Sequence, residues 1–159
     1  KAPAWNSLAS QLPAALRRVA LSGISNQYFS VDPQGDGAVG ARRWVRGGFW
    51  ETFTLKDWNG GALADGDEVS LQAHDGLYLS VDPGSGGQLY ARASTAGPAE
   101  RFVIHKIGGA GPIVTGDSIT LEVHSGRYLG AEVRGQGAIR ALRYIPGPAE
   151  VFRYLAQGE

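Results

Sequence analysis

Two tryptophans in the first third of the chain stand beside charged residues around a glycine-rich turn. Trp44 and Trp50 flank the turn at residues 45–48, with Arg42 before it and Glu51 after it. A sugar ring is recognised by a flat aromatic face that contacts its C–H groups, together with a few fixed polar groups that orient its hydroxyls. We therefore expect one principal ligand site near Trp44, Trp50 and Arg42, with Glu51 as a further candidate.

The sequence offers little for catalysis, for metal binding or for a cofactor. No motif marks out a Ser, His and Asp set, and the chain has no Cys, which excludes a thiolate zinc site. No glycine-rich stretch combines a preceding strand with a following helix, so a phosphate cradle is not expected. We assign solvated or structural roles to the three histidines, His74, His105 and His124. The expectation is a protein that is not an enzyme and that has no catalytic residues, no metal and no cofactor.

The chain repeats itself at an interval of 50 residues. Residues 27–33 (Gln-Tyr-Phe-Ser-Val-Asp-Pro) match residues 77–83 (Leu-Tyr-Leu-Ser-Val-Asp-Pro), and a third version follows at 127–132. A Glu-x-Phe segment closes each unit, at 51–53, 100–102 and 150–152. This many aligned positions predict one structural unit present three times.

Each unit contains four short runs with the alternation of half-buried strands, separated by turn residues. The predicted strands are about 18–22, 27–32, 37–42 and 49–55, then 68–73, 76–82, 87–92 and 100–105, then 117–123, 126–132, 137–142 and 150–155. Three blades are too few for a propeller, and the end units lack the atypical character of solenoid caps. The prediction is an all-β β-trefoil of about twelve strands, in which a six-stranded barrel is capped by three hairpins.

The predicted organisation is one domain preceded by a short segment. Residues 1–16 lie outside the repeat and form an arm or linker remnant, in which Trp5, Leu8 and Leu12 have helical spacing that Pro13 interrupts. The trefoil is expected over 17–159, with repeats at about 17–63, 64–113 and 114–159. The absence of Met indicates a processed chain, a piece of a longer precursor or an expression fragment.

Aromatic residues that break the threefold pattern are the best candidates for contacts with a ligand. Tyr90 stands where the other units have Gly40 and Arg140, and alternation with Leu89 turns it outward. Tyr144 occupies the position of Trp44 and suggests a weaker second site. The repeated Glu51, Glu100 and Glu150 share the parity of core phenylalanines, so a structural hydrogen-bonding role competes with a ligand role for Glu51.

The repeated unit resembles the fascin-like branch of the β-trefoils over about residues 17–156. The resemblance rests on the Gly-x-Tyr-Leu-Ser-Val-Asp segment and on the closing Trp50-Glu51-x-Phe53. It implies the trefoil fold and one of two functions, actin bundling or polysaccharide binding by bacterial modules attached to glycoside hydrolases. The Trp-Glu pair survives only once, because the other units have Ala99-Glu100 and Ala149-Glu150. One working site is therefore expected rather than three.

Length and charge limit the remaining possibilities. The 159 residues suit one domain, and the 15 basic side chains balance the 15 acidic ones. This balance gives no support for nucleic acid, an anionic membrane or a polyanion as a general partner. We expect a monomer that is secreted or extracellular, the location being implied by the resemblance alone.

Two function classes follow from these observations. The first is a non-catalytic carbohydrate-binding module or lectin that recognises a β-glucan-like polysaccharide or oligosaccharide through surface aromatics, with an attached glycoside hydrolase domain as a further partner. The alternative is a protein-interaction trefoil that bundles actin or inhibits a hydrolase.

Overall fold

The computed structural model of the protein describes residues 16–132 and 137–157. Within those ranges the chain forms twelve β-strands and four short 3-10 turns, so the all-β prediction is confirmed. The strands are β1 (Leu16–Ser22), β2 (Tyr28–Val31), β3 (Val39–Arg43), β4 (Phe53–Asp57), β5 (Glu68–Gln72), β6 (Tyr78–Asp82), β7 (Gln88–Ala93), β8 (Arg101–Lys106), β9 (Ser118–Glu122), β10 (Tyr128–Ala131), β11 (Ile139–Arg143) and β12 (Phe152–Ala156).

Six strands form a closed ring of antiparallel pairs. β1 pairs with β4, β4 with β5, β5 with β8, β8 with β9, β9 with β12, and β12 returns to β1. Closure satisfies both edges of every strand in the ring. Alternation sends one face of each strand into the core, as Phe53 and Leu55 of β4 show by being almost fully buried. Outward side chains that other segments leave uncovered, such as Thr54, are therefore available for function, whereas outward Ser70 is buried.

Three hairpins, β2–β3, β6–β7 and β10–β11, pack against one another beside the ring. Their pairing is the same in each case, since Phe29 faces Ala41, Leu79 faces Ala91 and Leu129 faces Ala141. Each hairpin also shows a register shift at the same place, immediately before this pair. A shift of this kind leaves one extra residue on the longer strand.

Backbone hydrogen bonds link the three hairpins head to tail. The amide of Ala91 donates to Gly37 O (2.8 Å), that of Ala141 to Gly87 O (2.9 Å), and that of Ala41 to Gly137 O (2.8 Å). The accepting residues are glycines with φ near 80°. A Cβ at Gly87 would lie 2.7 Å from Ala141 O, so the close approach of the chains requires glycine here.

The predicted arm at residues 1–16 lies outside the described residues except for Leu16, which begins β1. The proposed domain and repeat boundaries stay predictions. In the described part of the chain, no helix has the length and apolar character needed to cross a bilayer.

Candidate functional site

A row of polar side chains crosses three neighbouring strands on the outside of the ring. Arg18 of β1 is opposite Thr54 of β4, and Thr54 is opposite Gln72 of β5. Directly opposed residues on one face of a sheet lie about 5 Å apart, so their side chains form one continuous surface. We call Arg18, Thr54 and Gln72 the first row.

An aromatic wall rises beside the first row. The 3-10 turn Phe49–Glu51 holds the Phe49 ring 71% exposed. This ring stacks on His74, with ring centroids 4.5 Å apart and planes 7° apart. Trp50 meets the same imidazole edge-on, with a centroid distance of 5.4 Å, and packs against the hydrophobic core. Trp50 therefore supports the wall, and Phe49 supplies its exposed face.

The first row and the aromatic wall enclose an open cavity of about 370 Å³. This volume falls in the range of small-ligand pockets. Besides Phe49, His74 and the first row, its lining includes Thr52, Gly47 and Gln157. The cavity thus combines an exposed ring with several fixed polar groups.

Some of the polar groups are already oriented by the protein. Gln72 Nε2 donates to Gly76 O at 2.9 Å, which leaves its Oε1 able to accept a further bond. Thr52 Oγ1 donates to Gly48 O at 2.9 Å. Such bonds fix the direction of the remaining donors and acceptors, which is what selective recognition of hydroxyls requires.

The predicted ligand residue Glu51 does not line the cavity. Its carboxylate accepts a hydrogen bond from Ser30 Oγ at 2.6 Å and lies 3.9 Å from Arg43 Nε. Glu100 repeats this arrangement with Ser80 Oγ at 2.7 Å. The structural role that the repeat suggested for these carboxylates therefore has a geometric basis, and a ligand contact by Glu51 stays a prediction.

Arg42 is not brought to the aromatic wall. It is the extra residue at the register shift of β3, since Tyr28 faces Arg43 and Phe29 faces Ala41. A bulge of this kind re-aims its side chain, and the Arg42 guanidinium lies over Gly40, where a Cβ would be 2.6 Å from Cζ. Arg42 lines a separate hollow beside Gln27 and Glu132.

The other predicted aromatics are dispersed over the surface. Trp44 is 68% exposed and makes no ring contact within the described residues. Tyr90 is half-buried while Leu89 is fully buried, as alternation predicts, and the Arg92 guanidinium lies 3.5 Å above its ring. Tyr144 is exposed near Arg127, whose Cζ is 4.8 Å from the ring centroid. None of the three lines the cavity.

The remaining tryptophan in the described chain, Trp58, is fully engaged by the protein. Lys56 Nζ and Arg101 Cζ lie 3.6 and 3.7 Å from its ring, and its indole N–H donates to the buried Ser70 Oγ at 3.0 Å. Covered faces and a satisfied N–H assign this side chain to packing.

Sequence reasoning missed Phe49, Arg18 and Gln72 as site residues. The signal for Phe49 was present, because the other two units have Pro98 and Pro148 at that position. His74 was noted but assigned a structural role. Arg18 and Gln72 could be found only from the pairing of β1, β4 and β5, which places them on either side of Thr54.

One titratable group lies apart from the cavity, buried at the end of β4. Burial raises the pKa of Asp57 to about 6 from its ordinary value of 3.8, and the adjacent Asp67 carboxyl adds to the rise. Asp57 Oδ2 has no donor unless one of the two carboxyls carries a proton. In the described residues no group of three or more His, Asp or Glu side chains could hold a metal ion.

Comparison with known proteins identifies the fold but not a family. No protein-family model and no curated protein matches the sequence. An SDF2-like protein from Arabidopsis thaliana is similar at TM-score 0.64 and 11% identity, over 89% of this chain and 92% of that one. A lectin from Polyporus squamosus, bound to the epitope Neu5Aca2-6Galb1-4GlcNAc, is similar at TM-score 0.66 and 9% identity, over 87% of this chain and 48% of the lectin.

A Caenorhabditis elegans protein of unknown function is similar at TM-score 0.63 and 12% identity, over 91% and 97% of the two chains. At these identities the likeness concerns the fold alone. Together with the pairing of the twelve strands, these similarities support a β-trefoil-like fold.

Proposed function

We propose that this protein is a non-catalytic carbohydrate-binding module, built as a three-repeat β-trefoil of the fascin-like branch. Its principal ligand site is the cavity between Phe49, His74 and the first row. The ligand is one sugar unit of a polysaccharide or oligosaccharide, of which a β-glucan is one candidate. The module is secreted, acts as a monomer and accompanies a glycoside hydrolase domain.

The observation that carries this proposal is the exposed Phe49 ring at the edge of a polar cavity. An exposed aromatic face next to oriented amide and hydroxyl groups matches the two requirements of a sugar ring, whose C–H groups are apolar and whose hydroxyls need directional partners. The rigid stacking of Phe49 on His74 fixes the wall before a ligand arrives, which lowers the entropic cost of binding.

The non-catalytic part of the proposal is supported by the lining of the cavity. Glycoside hydrolysis usually employs two carboxyl groups that face each other across the sugar. The nearest candidate from the sequence, Glu51, is bonded to Ser30 instead. The lining that the structure describes consists of Arg, His, Gln, Thr, Phe, Ala and Gly residues, which suits binding.

The experiment that tests the proposal is affinity electrophoresis in gels containing soluble glucans, combined with pull-down on insoluble polysaccharides. The parent protein is expected to be retarded by at least one polymer. Phe49→Ala is expected to weaken that retention about tenfold, the loss of one aromatic contact with the sugar. Retention of no polysaccharide by the parent would overturn the proposal.

Two matched variants locate the site. Trp44→Ala removes an exposed ring from the same loop outside the cavity, and Tyr144→Ala removes the exposed ring of the equivalent loop after β11. Both are expected to retain the polymer. Loss of binding in Trp44→Ala with normal binding in Phe49→Ala would move the site to the loop tip.

A protein-interaction role is the second candidate, and the two exposed loop tips favour it. Trp44 and Val45 after β3, and Tyr144 and Ile145 after β11, are large apolar side chains that are all more than 60% exposed. Contiguous exposed apolar side chains are typical of interaction sites. Co-sedimentation with actin filaments, lost in a Trp44→Ala and Tyr144→Ala double variant, would support this role.

A further inference from the structure

The first row carries a positive charge that no acidic side chain neutralises in the part of the chain that the structure describes. The Arg18 side chain makes no hydrogen bond or ion pair with any residue in the ranges 16–132 and 137–157, and it lines the cavity. No Asp or Glu in those ranges lines the cavity with it. From this charge we infer that the cavity selects an acidic sugar, one that carries a carboxylate or a sulfate group. This inference rests on the proposed carbohydrate-binding function.

The corresponding row between β5, β8 and β9 shows what a neutralised version looks like. Glu68 is opposite Val103, and Val103 is opposite Glu122, so these three residues form the second row. Glu68 Oε1 accepts from Arg101 Nη1 at 2.9 Å, and Glu122 Oε1 lies 2.9 Å from His105 Nε2. Both charged groups of the second row therefore have partners inside the protein, whereas the guanidinium of the first row has none among the described residues.

The remaining groups of the first row also suit an anion. The Thr54 hydroxyl can donate, and Gln72, whose amide N–H₂ is directed to Gly76 O, leaves an acceptor for a sugar hydroxyl. A guanidinium binds carboxylate or sulfate oxygens with two parallel N–H donors, a geometry that a neutral hydroxyl cannot match. Phe49 then contacts the C–H face of the same sugar.

This selectivity is local and does not contradict the balanced charge of the chain. With 15 basic and 15 acidic side chains, the protein has no general attraction for polyanions. A single guanidinium in a cavity acts on the one group that touches it. Binding should therefore depend on Arg18 rather than on the overall charge of the polymer.

Matched polymers test the inference directly. Affinity electrophoresis would compare polygalacturonate with its carboxyl-reduced form, and a sulfated galactan with its desulfated form. One acidic polymer is expected to bind about tenfold more tightly than its neutral partner, as for the loss of one charged hydrogen-bonding group. The pair that shows the difference identifies the anion as carboxylate or sulfate.

Variants of two arginines complete the test. Arg18→Gln is expected to abolish the preference for the acidic polymer, so that the acidic and neutral forms are retained equally. Arg153→Gln removes the same charge from an exposed position on β12 and is expected to keep the preference. Equal binding of acidic and neutral partners, or a preference that survives Arg18→Gln, would overturn the inference while leaving carbohydrate binding intact. Failure of the parent to bind any polymer, neutral or acidic, would overturn both.

Discussion

The first and second rows occupy equivalent places on the ring but use their charges in opposite ways. In the first row the Arg18 side chain has no partner within residues 16–132 and 137–157, and it lies beside the exposed ring of Phe49. In the second row Glu68 is paired with Arg101, and Pro98 stands where the first has Phe49. Arg101 also covers Trp58. One scaffold position can therefore stabilise the fold in one copy and remain available for a ligand in another.

The C-terminal ends of β4 and β8 also carry charges that are used in opposite ways. Asp57 of β4 pairs with Val69 in the ladder, and Lys106 of β8 pairs with Ile119, so the two side chains hold corresponding positions. Asp57 meets the carboxyl of Asp67, while Lys106 Nζ lies 3.6 Å from Asp117. The β4–β5 connection therefore contains a repulsive pair, and the β8–β9 connection contains an attractive one.

The largest expected effect comes from removing that repulsion with Asp57→Asn. Because the folded-state pKa of Asp57 is raised to about 6 from 3.8, the protonated form stabilises the fold at low pH, and this stability is lost as the pH rises from 3.8 to 6. Above that pH range Asp57 is ionised, and the fold has lost the whole of this stability. Asparagine donates where the proton did, so the free energy of unfolding at pH 8 should rise by about 2 to 3 kcal/mol.

Urea unfolding at pH 4 and pH 8 measures this effect, and the gain should almost vanish at pH 4. Lys106→Gln is the matched control at the corresponding position, where a partly exposed pair is worth about 1 kcal/mol or less. A gain of equal size at both pH values would show that Asp57 is not a protonated partner of Asp67.

A smaller effect, on binding, is expected from exchanging the aromatic wall for its counterpart. Phe49→Pro installs the residue that begins the equivalent 3-10 turns at Pro98 and Pro148, so the turn should still form. Loss of the ring should weaken polysaccharide retention about tenfold, or about 1.4 kcal/mol. Retention in affinity gels checks this, with near-ultraviolet circular dichroism to verify the fold.

The reciprocal change, Pro98→Phe, separates the effect of the aromatic ring from that of Arg18. It places a ring beside His124, the counterpart of His74, in a cavity that otherwise contains Glu68 and Glu122. Because the Arg101 guanidinium that lines this cavity is already paired with Glu68, the new ring should not add retention on an acidic polymer. Tighter binding of acidic polymers by Pro98→Phe would show that the aromatic ring, and not Arg18, controls selectivity.

The smallest effect on stability is expected from Glu68→Gln in the second row. The Glu68 and Arg101 side chains are partly exposed, so breaking their ion pair should cost about 0.5 kcal/mol, less at high salt. Urea unfolding at low and high salt measures the difference. A loss of several kcal/mol would mean that this pair, rather than the barrel core, holds β5 and β8 together.

Much of the architecture could be predicted from the sequence, because the repeat and the alternation report directly on pairing. The matched segments that contain Phe29, Leu79 and Leu129 form the same hairpin three times, and the parity that turned Tyr90 outward agrees with its half-buried state. These features depend on local periodicity, which a single sequence displays.

The candidate site was less predictable for two physical reasons. The bulge in β3 re-aims Arg42, and alternation along a strand cannot reveal a residue that has no partner in the ladder. The first row joins Arg18 and Gln72, which are far apart in sequence and meet only through Thr54. Trp44 was singled out as an aromatic residue that flanks the glycine-rich turn, yet Phe49 is the ring that the adjacent turn places on the cavity.

The head-to-tail bonds among the three hairpins set the number of units in the fold. Each hairpin gives one amide to a neighbouring glycine carbonyl and accepts another through its own glycine. Two hairpins would leave a donor and an acceptor without partners, and a fourth would find no opening in the closed triangle. Loss or duplication of a single unit therefore cannot yield a shorter or longer version of the same protein, unlike an open array of stacked repeats.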